Sequence, residues 1–193
     1  MKKIISTILC MTFICISLAG CAAKGGEETA TETGSQTEAA VVPDDLEVYI
    51  RWNVLGISSY DSATGRLVKT TDATRPEDYV TELTFDNELK AAFWAALTQE
   101  IDIYEYPDEY DPFNDGAKEG EWVGSDPVRT IVIRLTANGR TKTVECKGIS
   151  LGGPEDCRAE RGRRFMEAVC GLTDLIISTD EWKALPDYEF LYD

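Results

Sequence analysis

A single hairpin constrains the fold of this chain more than any other sequence feature. The pair Asn138-Gly139 stands between two runs of alternating apolar residues that together span 129–149. Asn-Gly is the preferred pair for a type I′ turn, because both central residues must adopt positive φ. A two-residue turn fixes which residues lie opposite one another, and the apolar residues then fall on one face. The predicted pairs are Ile133 with Val144, Ile131 with Cys146, Arg134 with Thr143 and Val132 with Glu145.

The remaining pattern predicts an α+β fold. Alternation and turn residues predict strands ahead of the hairpin, over 46–54, 66–71 and 79–85. Asp86 is a good N-cap for a helix over 86–99, and Pro154 is placed to begin a second main helix. A short third helix should begin near Ser178. This order predicts one small domain, 46–193, whose antiparallel sheet carries two main helices on one face.

Composition excludes several classes of chemistry. The 193 residues include no His, so Ser-His and Cys-His catalysis and His-ligated zinc are all impossible. The chain has 19 Lys and Arg against 35 Asp and Glu, a formal net charge of −16. Nucleic acid is therefore not an expected partner, because phosphate contacts need clustered cations.

The first 21 residues have the organisation of an export signal. Lys2 and Lys3 precede an uncharged, mostly apolar stretch over 4–18, which is short for a transmembrane helix. The stretch ends in Leu18-Ala19-Gly20-Cys21, which resembles the lipobox of bacterial lipoproteins at all four positions. The resemblance implies a signal peptide, 1–20, cleaved before a Cys21 that carries a thioether-linked lipid and acyl chains such as palmitate.

The lipid would have to supply the whole attachment to the bilayer. Residues 21–45 are small, polar and acidic, and they predict a flexible tether. Loss of Lys2 and Lys3 with the signal leaves a side-chain charge of −18, which anionic headgroups repel. Acyl chains on Cys21 must then hold the protein on the membrane. We expect a lipid-anchored protein on the extracytoplasmic face of the cell membrane, at a Gram-positive cell surface.

The segment 106–127 is long and acidic, and long segments without regular structure are often functional. One interpretation is a loop that binds an envelope protein or ligand, because aromatic residues are typical interface anchors. The candidate anchors are Tyr106, Tyr110, Phe113 and Trp122. The alternative is a solvated acidic loop without a partner.

A Ca²⁺ site is a second functional interpretation of the same segment, since Ca²⁺ binds several oxygen ligands. Asp111, Asp115 and Gly116 match the first, fifth and sixth positions of an EF-hand loop. Phe113 and Trp122 stand where two further oxygen ligands are needed, so the match is poor. No cofactor is therefore predicted, with Ca²⁺ at Asp111 and Asp115 as the alternative.

Three of the six cysteines lie in the domain, an odd number for an exported protein. We predict a disulfide between Cys146 and Cys157. A helix that begins at Pro154 would carry Cys170 past the level of Cys146, beyond the reach of a bridge. Three reduced thiols are the alternative.

The order of the elements and the ending EWKALPDYEFLY are similar to small uncharacterised domains on lipoproteins of gut-type Gram-positive bacteria. The resemblance covers the last two thirds of the chain and implies no activity. We expect a non-enzymatic domain that binds a ligand or supports an envelope complex. The alternatives are a carboxylate-dependent hydrolase of cell-envelope glycan and a Ca²⁺-binding surface protein. A cleft with two acids about 5–10 Å apart would favour the hydrolase.

Overall fold

The computed structural model describes residues 41–54, 57–70 and 75–187. The predicted signal peptide, the lipobox with Cys21 and the tether as far as residue 40 lie outside the described residues. Within the described ranges, no helix has the length and apolar character needed to cross a membrane.

The domain is built on a six-stranded antiparallel sheet in the order β4-β3-β2-β1-β5-β6. The strands are β1 Glu47–Trp52, β2 Ser58–Asp61, β3 Arg66–Val68, β4 Val80–Glu82, β5 Arg129–Ala137 and β6 Arg140–Ile149. Alternate residues of β1, β5 and β6 are buried, as in a sheet with one covered face.

Two main helices supply the apolar cover for that face. They are α1 Asn87–Ala95, which continues as a π-helical turn Ala96–Glu100, and α2 Glu160–Ile177; a short α3 follows at Asp180–Lys183. Phe93 and Leu97 join Phe165 and Leu172 in one core cluster with the inward residues of the sheet. Asp86 caps α1 as predicted, because its carboxylate accepts from the backbone N–H groups of two first-turn residues. The α+β prediction is confirmed.

The predicted hairpin forms in the predicted register, and all four expected residue pairs are present. Asn138 and Gly139 both have positive φ, 52° and 69°. The Asp45 carboxylate accepts from the N–H groups of both turn residues, at 2.7 and 2.8 Å. These hydrogen bonds lower the pKa of Asp45. Beyond Cys146 the ladder shifts, and Arg129 lies opposite Ile149.

The second main helix begins six residues later than predicted. Pro154–Asp156 forms a single 3₁₀ turn, and α2 begins at Glu160. The Asp156 carboxylate accepts from the backbone N–H of Gly153, at 2.9 Å. This bond between a side chain and nearby backbone closes the turn locally, and Cys157 then returns to extended backbone.

The acidic segment 106–127 packs against the domain. Its backbone pairs with the outer edge of β6, where Glu109 lies opposite Glu145 in a short parallel bridge. Two hydrogen bonds hold this bridge: Tyr110 N–H donates to the Glu145 carbonyl at 3.0 Å, and Glu145 N–H donates to the Asp108 carbonyl at 2.7 Å. The segment thereby covers part of an otherwise open sheet edge.

Candidate functional site

Arg129 begins β5 on the face that the helices cover. Every second residue of β5 faces the helices. Arg129 is the first of these inward residues and is followed by Ile131, Ile133 and Leu135. Its side chain is half-buried, whereas the three apolar residues are fully buried. A cation at the end of an apolar row is unusual, because burial penalises its charge unless a partner compensates.

The partners of Arg129 are two carbonyl groups and the ring of Phe113, whose centroid lies 6.0 Å from the guanidinium carbon. Its Nη2 donates to the carbonyls of Ser150 and Gly152, at 3.3 and 2.6 Å. Its Nε is buried and has no hydrogen-bond partner. No carboxylate of the described residues lies within 4.0 Å of the guanidinium. Two carbonyls therefore orient this cation, and its charge has no counterion in the described part of the chain.

Burial lowers the pKa of Arg129 from its ordinary value. The thiols of Cys170, Cys157 and Cys146 act on the pKa in the opposite direction, so all three lie in the electrostatic neighbourhood of the guanidinium. Arginine keeps its proton in proteins even when it is buried. The site therefore presents a fixed positive charge.

A cavity of about 310 Å³ opens beside Arg129. It lies between the C-terminal end of β1, the N-terminal end of β5 and the second half of α2. The lining is mostly apolar or aromatic, with a few polar groups among them. It consists of Trp52, Asn53, Arg129, Ile131, Val169, Cys170, Thr173, Ile177 and Trp182. Apolar walls with a few convergent polar groups are typical of small-molecule sites.

Two tryptophans form one wall of this cavity, which we call the Arg129 cavity. Trp52 is the last inward residue of β1, and Trp182 lies on α3. Their ring centroids are 5.6 Å apart at an interplanar angle of 31°. The Thr179 hydroxyl caps α3 by accepting from the backbone N–H of Trp182 at 3.3 Å.

Asn53 stands next to Trp52 in a strained conformation. Its φ is +77°, in the left-handed region that non-glycine residues seldom adopt. Its side-chain amide donates to the Ser58 hydroxyl at 2.9 Å, and its carbonyl accepts from Thr130 N–H at 3.3 Å. Strained residues of this kind cluster at ligand sites.

A larger cavity of about 470 Å³ lies between the start of α1 and the start of α3. Among the described residues, its lining carries four acids, Asp86, Glu88, Asp180 and Glu181, and no Lys or Arg. Asp86 is occupied as the cap of α1. Solvated acids are expected over much of the surface of so acidic a chain. The four acids therefore indicate a ligand site less specifically than Arg129 does in its own cavity.

The structure places three of the four predicted anchors of the partner-binding loop inside the domain. Tyr106, Tyr110 and Phe113 are buried, with exposed fractions of 5%, 8% and 0%, and only Trp122 is exposed, at 70%. The Tyr106 and Tyr110 rings both pack on Phe165 of α2, with centroids 5.2 Å away. Their apolar area is removed from water inside the domain, so they cannot serve as external anchors.

The two candidate calcium ligands have other roles. Asp111 accepts from the backbone N–H groups of Phe113 and Asn114, at 3.0 and 3.2 Å, and from the Asn114 side chain. Asp115 accepts from the Tyr110 hydroxyl at 2.8 Å. Within the described residues, no group of three or more Cys, Asp or Glu is arranged to hold a metal ion. Asp111 therefore closes a turn of the segment, and Asp115 binds the hydroxyl of a buried tyrosine.

The three domain cysteines are free thiols in the structure, and the predicted bridge between Cys146 and Cys157 is not formed. The prediction assumed a helix from Pro154, whereas Cys157 precedes the helix in extended backbone. Burial raises the pKa of Cys157 to about 11 and also raises the pKa values of Cys146 and Cys170. All three are therefore protonated at neutral pH and are poor nucleophiles.

Sequence reasoning did not find the Arg129 cavity. Arg129 did carry a signal, because it extends the inward alternation of β5 by one position and places a charge where an apolar residue is expected. Trp182 and Cys170 carried no comparable signal, since both lie on helical stripes that predict only packing.

Comparison of the chain with known protein families, with curated proteins and with solved structures finds no match.

Proposed function

We propose that this chain is a lipid-anchored, extracytoplasmic binding protein that holds a small ligand in the Arg129 cavity. The observation that carries the proposal is a half-buried arginine without a carboxylate partner in the described residues, placed at an aromatic-walled cavity. An unpaired buried cation is costly, and an anionic group on a ligand would supply the missing partner.

Binding fits the chemistry of the cavity better than catalysis. None of the described residues that line it is Asp or Glu, so it offers no carboxylate pair for glycan hydrolysis. Its Cys170 thiol has a raised pKa, which disfavours attack on a ligand. A fixed cation, two tryptophans and aliphatic side chains are groups that bind and orient.

The proposed anchor is Cys21, which carries the resemblance to the lipobox. The structure ties Asp45 to the hairpin turn, so the tether would end before it. The segment 22–40 would have a root-mean-square reach of about 22–26 Å as a random coil, enough to hold the domain clear of the headgroups. Repulsion between its acids and an anionic surface would extend it further. The Cys21→Ala variant should move from the membrane fraction to the soluble fraction of cells. Retention of this variant on membranes would contradict the anchor.

The cavity is tested by ligand-induced shifts in the amide NMR spectrum. The mature chain from residue 21, with Cys21→Ala, is titrated with a panel of small acids, amides, amines and phosphate esters. At least one compound should shift the resonances of residues 52–53, 129–131 and 169–173. If no compound does so at millimolar concentration, the proposed binding function is wrong.

A variant that fills the cavity supplies the control. Thr173→Trp places a large ring in the lining and should abolish the shifts, while Thr143→Trp on the exposed side of β6 should leave them unchanged. Equal loss in both variants would show that the shifts do not arise from the cavity.

A further inference from the structure

We infer that the ligand of the Arg129 cavity is a small monocarboxylate with a flat, apolar body. This inference rests on the proposed binding function and deepens it by naming the ligand's chemical class. Three features of the cavity carry it: a single cation, a guanidinium nitrogen, Nη1, without a partner in the described residues, and aromatic walls around a small volume.

The charge of the cavity favours a monoanion. Arg129 is the one Lys or Arg among the described residues that line it. A phosphate monoester carries about −1.5 to −2 charges at neutral pH and would need a second cation nearby. Lys69 contacts the ring of Trp182, with its Nζ 5.6 Å from the centroid, but it lies outside the lining and forms an ion pair with Asp187 at 3.6 Å. One guanidinium balances one carboxylate.

The remaining donors of Arg129 fit the same group. Nη2 is committed to the carbonyls of Ser150 and Gly152, which fixes the plane of the guanidinium. Nε is buried, and Nη1 donates to no residue in the described part of the chain. Nη1 is therefore the donor left for a ligand, and a charge-assisted hydrogen bond from a guanidinium to a carboxylate is about twice as strong as a neutral one.

The walls and the volume determine the rest of the ligand. Trp52 and Trp182 offer aromatic surface, and Ile131, Val169 and Ile177 offer aliphatic surface. Aromatic pairs pack at centroid separations of 4.5–7 Å, so a flat ring can join the two tryptophans at ordinary distances. The volume of about 310 Å³ lies at the lower end of the range for ligand sites, which suits a single-ring compound rather than a larger one.

The test compares three probes of the same ring, benzoate, benzamide and phenyl phosphate, on the mature chain with Cys21→Ala. Dissociation constants are measured from the amide NMR shifts of Cys170 and Thr173. Benzoate should bind at least about tenfold more tightly than benzamide, because benzamide lacks the charge that pairs with Arg129. Phenyl phosphate should bind more weakly than benzoate, because its second charge stays unpaired.

Variants of Arg129 locate the discrimination. Arg129→Gln should remove the roughly tenfold preference for benzoate over benzamide, because the charge that distinguishes the two probes is gone. Arg134→Gln removes the same charge from the exposed side of the same strand, and it should leave benzoate binding unchanged. If Arg129→Gln does not fold, the comparison of the three probes on the unsubstituted Arg129 protein decides by itself.

Each outcome points to one conclusion. If benzamide binds as tightly as benzoate, the ligand need not be a carboxylate. If phenyl phosphate binds more tightly than benzoate, the ligand need not be a monoanion. Either result would contradict this inference and leave the proposed binding function intact. If Arg134→Gln loses the preference for benzoate over benzamide and Arg129→Gln keeps it, the carboxylate is bound at another surface and the inference is wrong. Binding of other panel compounds, but of none of these three, would overturn the ligand class. If no compound of the panel binds in the cavity, the proposed binding function itself is wrong.

Discussion

The β5–β6 hairpin and the segment 106–127 touch along the edge of β6, yet different interactions hold them in place. The hairpin is held by a continuous backbone ladder and a two-residue turn that suits the local sequence. The segment makes one short bridge to β6 and is otherwise held by side chains that enter the core, above all Tyr110 and Phe113. An acidic, irregular segment can therefore belong to the core when a few large side chains anchor it.

Removal of the deepest anchor of the segment should have the largest effect. Phe113 is fully buried, and Phe113→Ala should lower the free energy of unfolding by about 3–5 kcal/mol. Trp122→Ala is the matched change at an exposed aromatic in the same segment, and it should alter stability by less than about 0.5 kcal/mol. Urea unfolding followed by far-UV circular dichroism measures both. Equal losses in the two variants would mean that the segment does not belong to the core.

The contact between the segment and α2 should give the next largest effect. A Cβ added at Gly162 would lie 2.0 Å from the Pro112 carbonyl oxygen, which is backbone and cannot turn aside. We expect Gly162→Ala to cost about 1–3 kcal/mol through overpacking.

A second glycine of the same helix provides the control. Apart from its chain neighbours and the backbone of its own helix, Gly171 has no described atom within 4 Å of an added Cβ, so Gly171→Ala should be stabilising by up to about 1 kcal/mol. Thermal unfolding of both variants tests the pair. A neutral Gly162→Ala would contradict the close approach of the segment to α2.

The hairpin turn should respond less strongly. Gly139 has a φ of +69°, and the Cβ of Gly139→Ala should cost about 1 kcal/mol in that conformation. Asn138→Gly keeps access to positive φ and should stay within about 0.5 kcal/mol of the parent. Chemical denaturation of the two variants separates turn geometry from the loss of a side chain. A larger cost for Asn138→Gly would show that the Asn side chain matters more than the turn.

The smallest effect concerns the carboxylate that caps the turn. The folded state lowers the pKa of Asp45 through hydrogen bonds from Gly139 and Asn138. Its contribution to stability is therefore present above the ordinary carboxyl pKa and is lost as the pH falls through the lowered value. Asp45→Asn should lower the urea midpoint at neutral pH, and the difference from the parent should vanish in acid. The same change at neighbouring Asp44 serves as control; an identical pH profile there would contradict a specific role of Asp45.

The core between sheet and helices differs between its two ends. Toward the hairpin turn, Leu135, Ala137 and Val144 are fully packed. At the other end Arg129 interrupts the apolar row, and the space beside it stays open as the cavity. The one charged residue in the inward row of β5 thus lies at the place where we propose a ligand.

Part of this structure could be predicted from the sequence because it depends on local chemistry. The register of β5 and β6, the cap of α1 at Asp86 and the α+β order all depend on neighbours within a few residues or on simple alternation. The lipobox and its consequences are also local, and they remain predictions. Such features need no knowledge of distant contacts, because the backbone geometry of turns and caps is set by the residues that form them.

Only the tertiary structure decided the rest. Tyr110 and Phe113 sit among acids in the sequence, yet Tyr110 packs on Phe165, which comes more than fifty residues later, and Phe113 is buried in the same core cluster. The bridge of Asp108–Tyr110 to β6 and the close approach of Pro112 to Gly162 also join distant parts of the chain. Arg129, Cys170 and Trp182 meet at one cavity because the sheet and α2 pack face to face. Packing of this kind is non-directional and depends on the whole shape of the core, so no short stretch of the sequence encodes it.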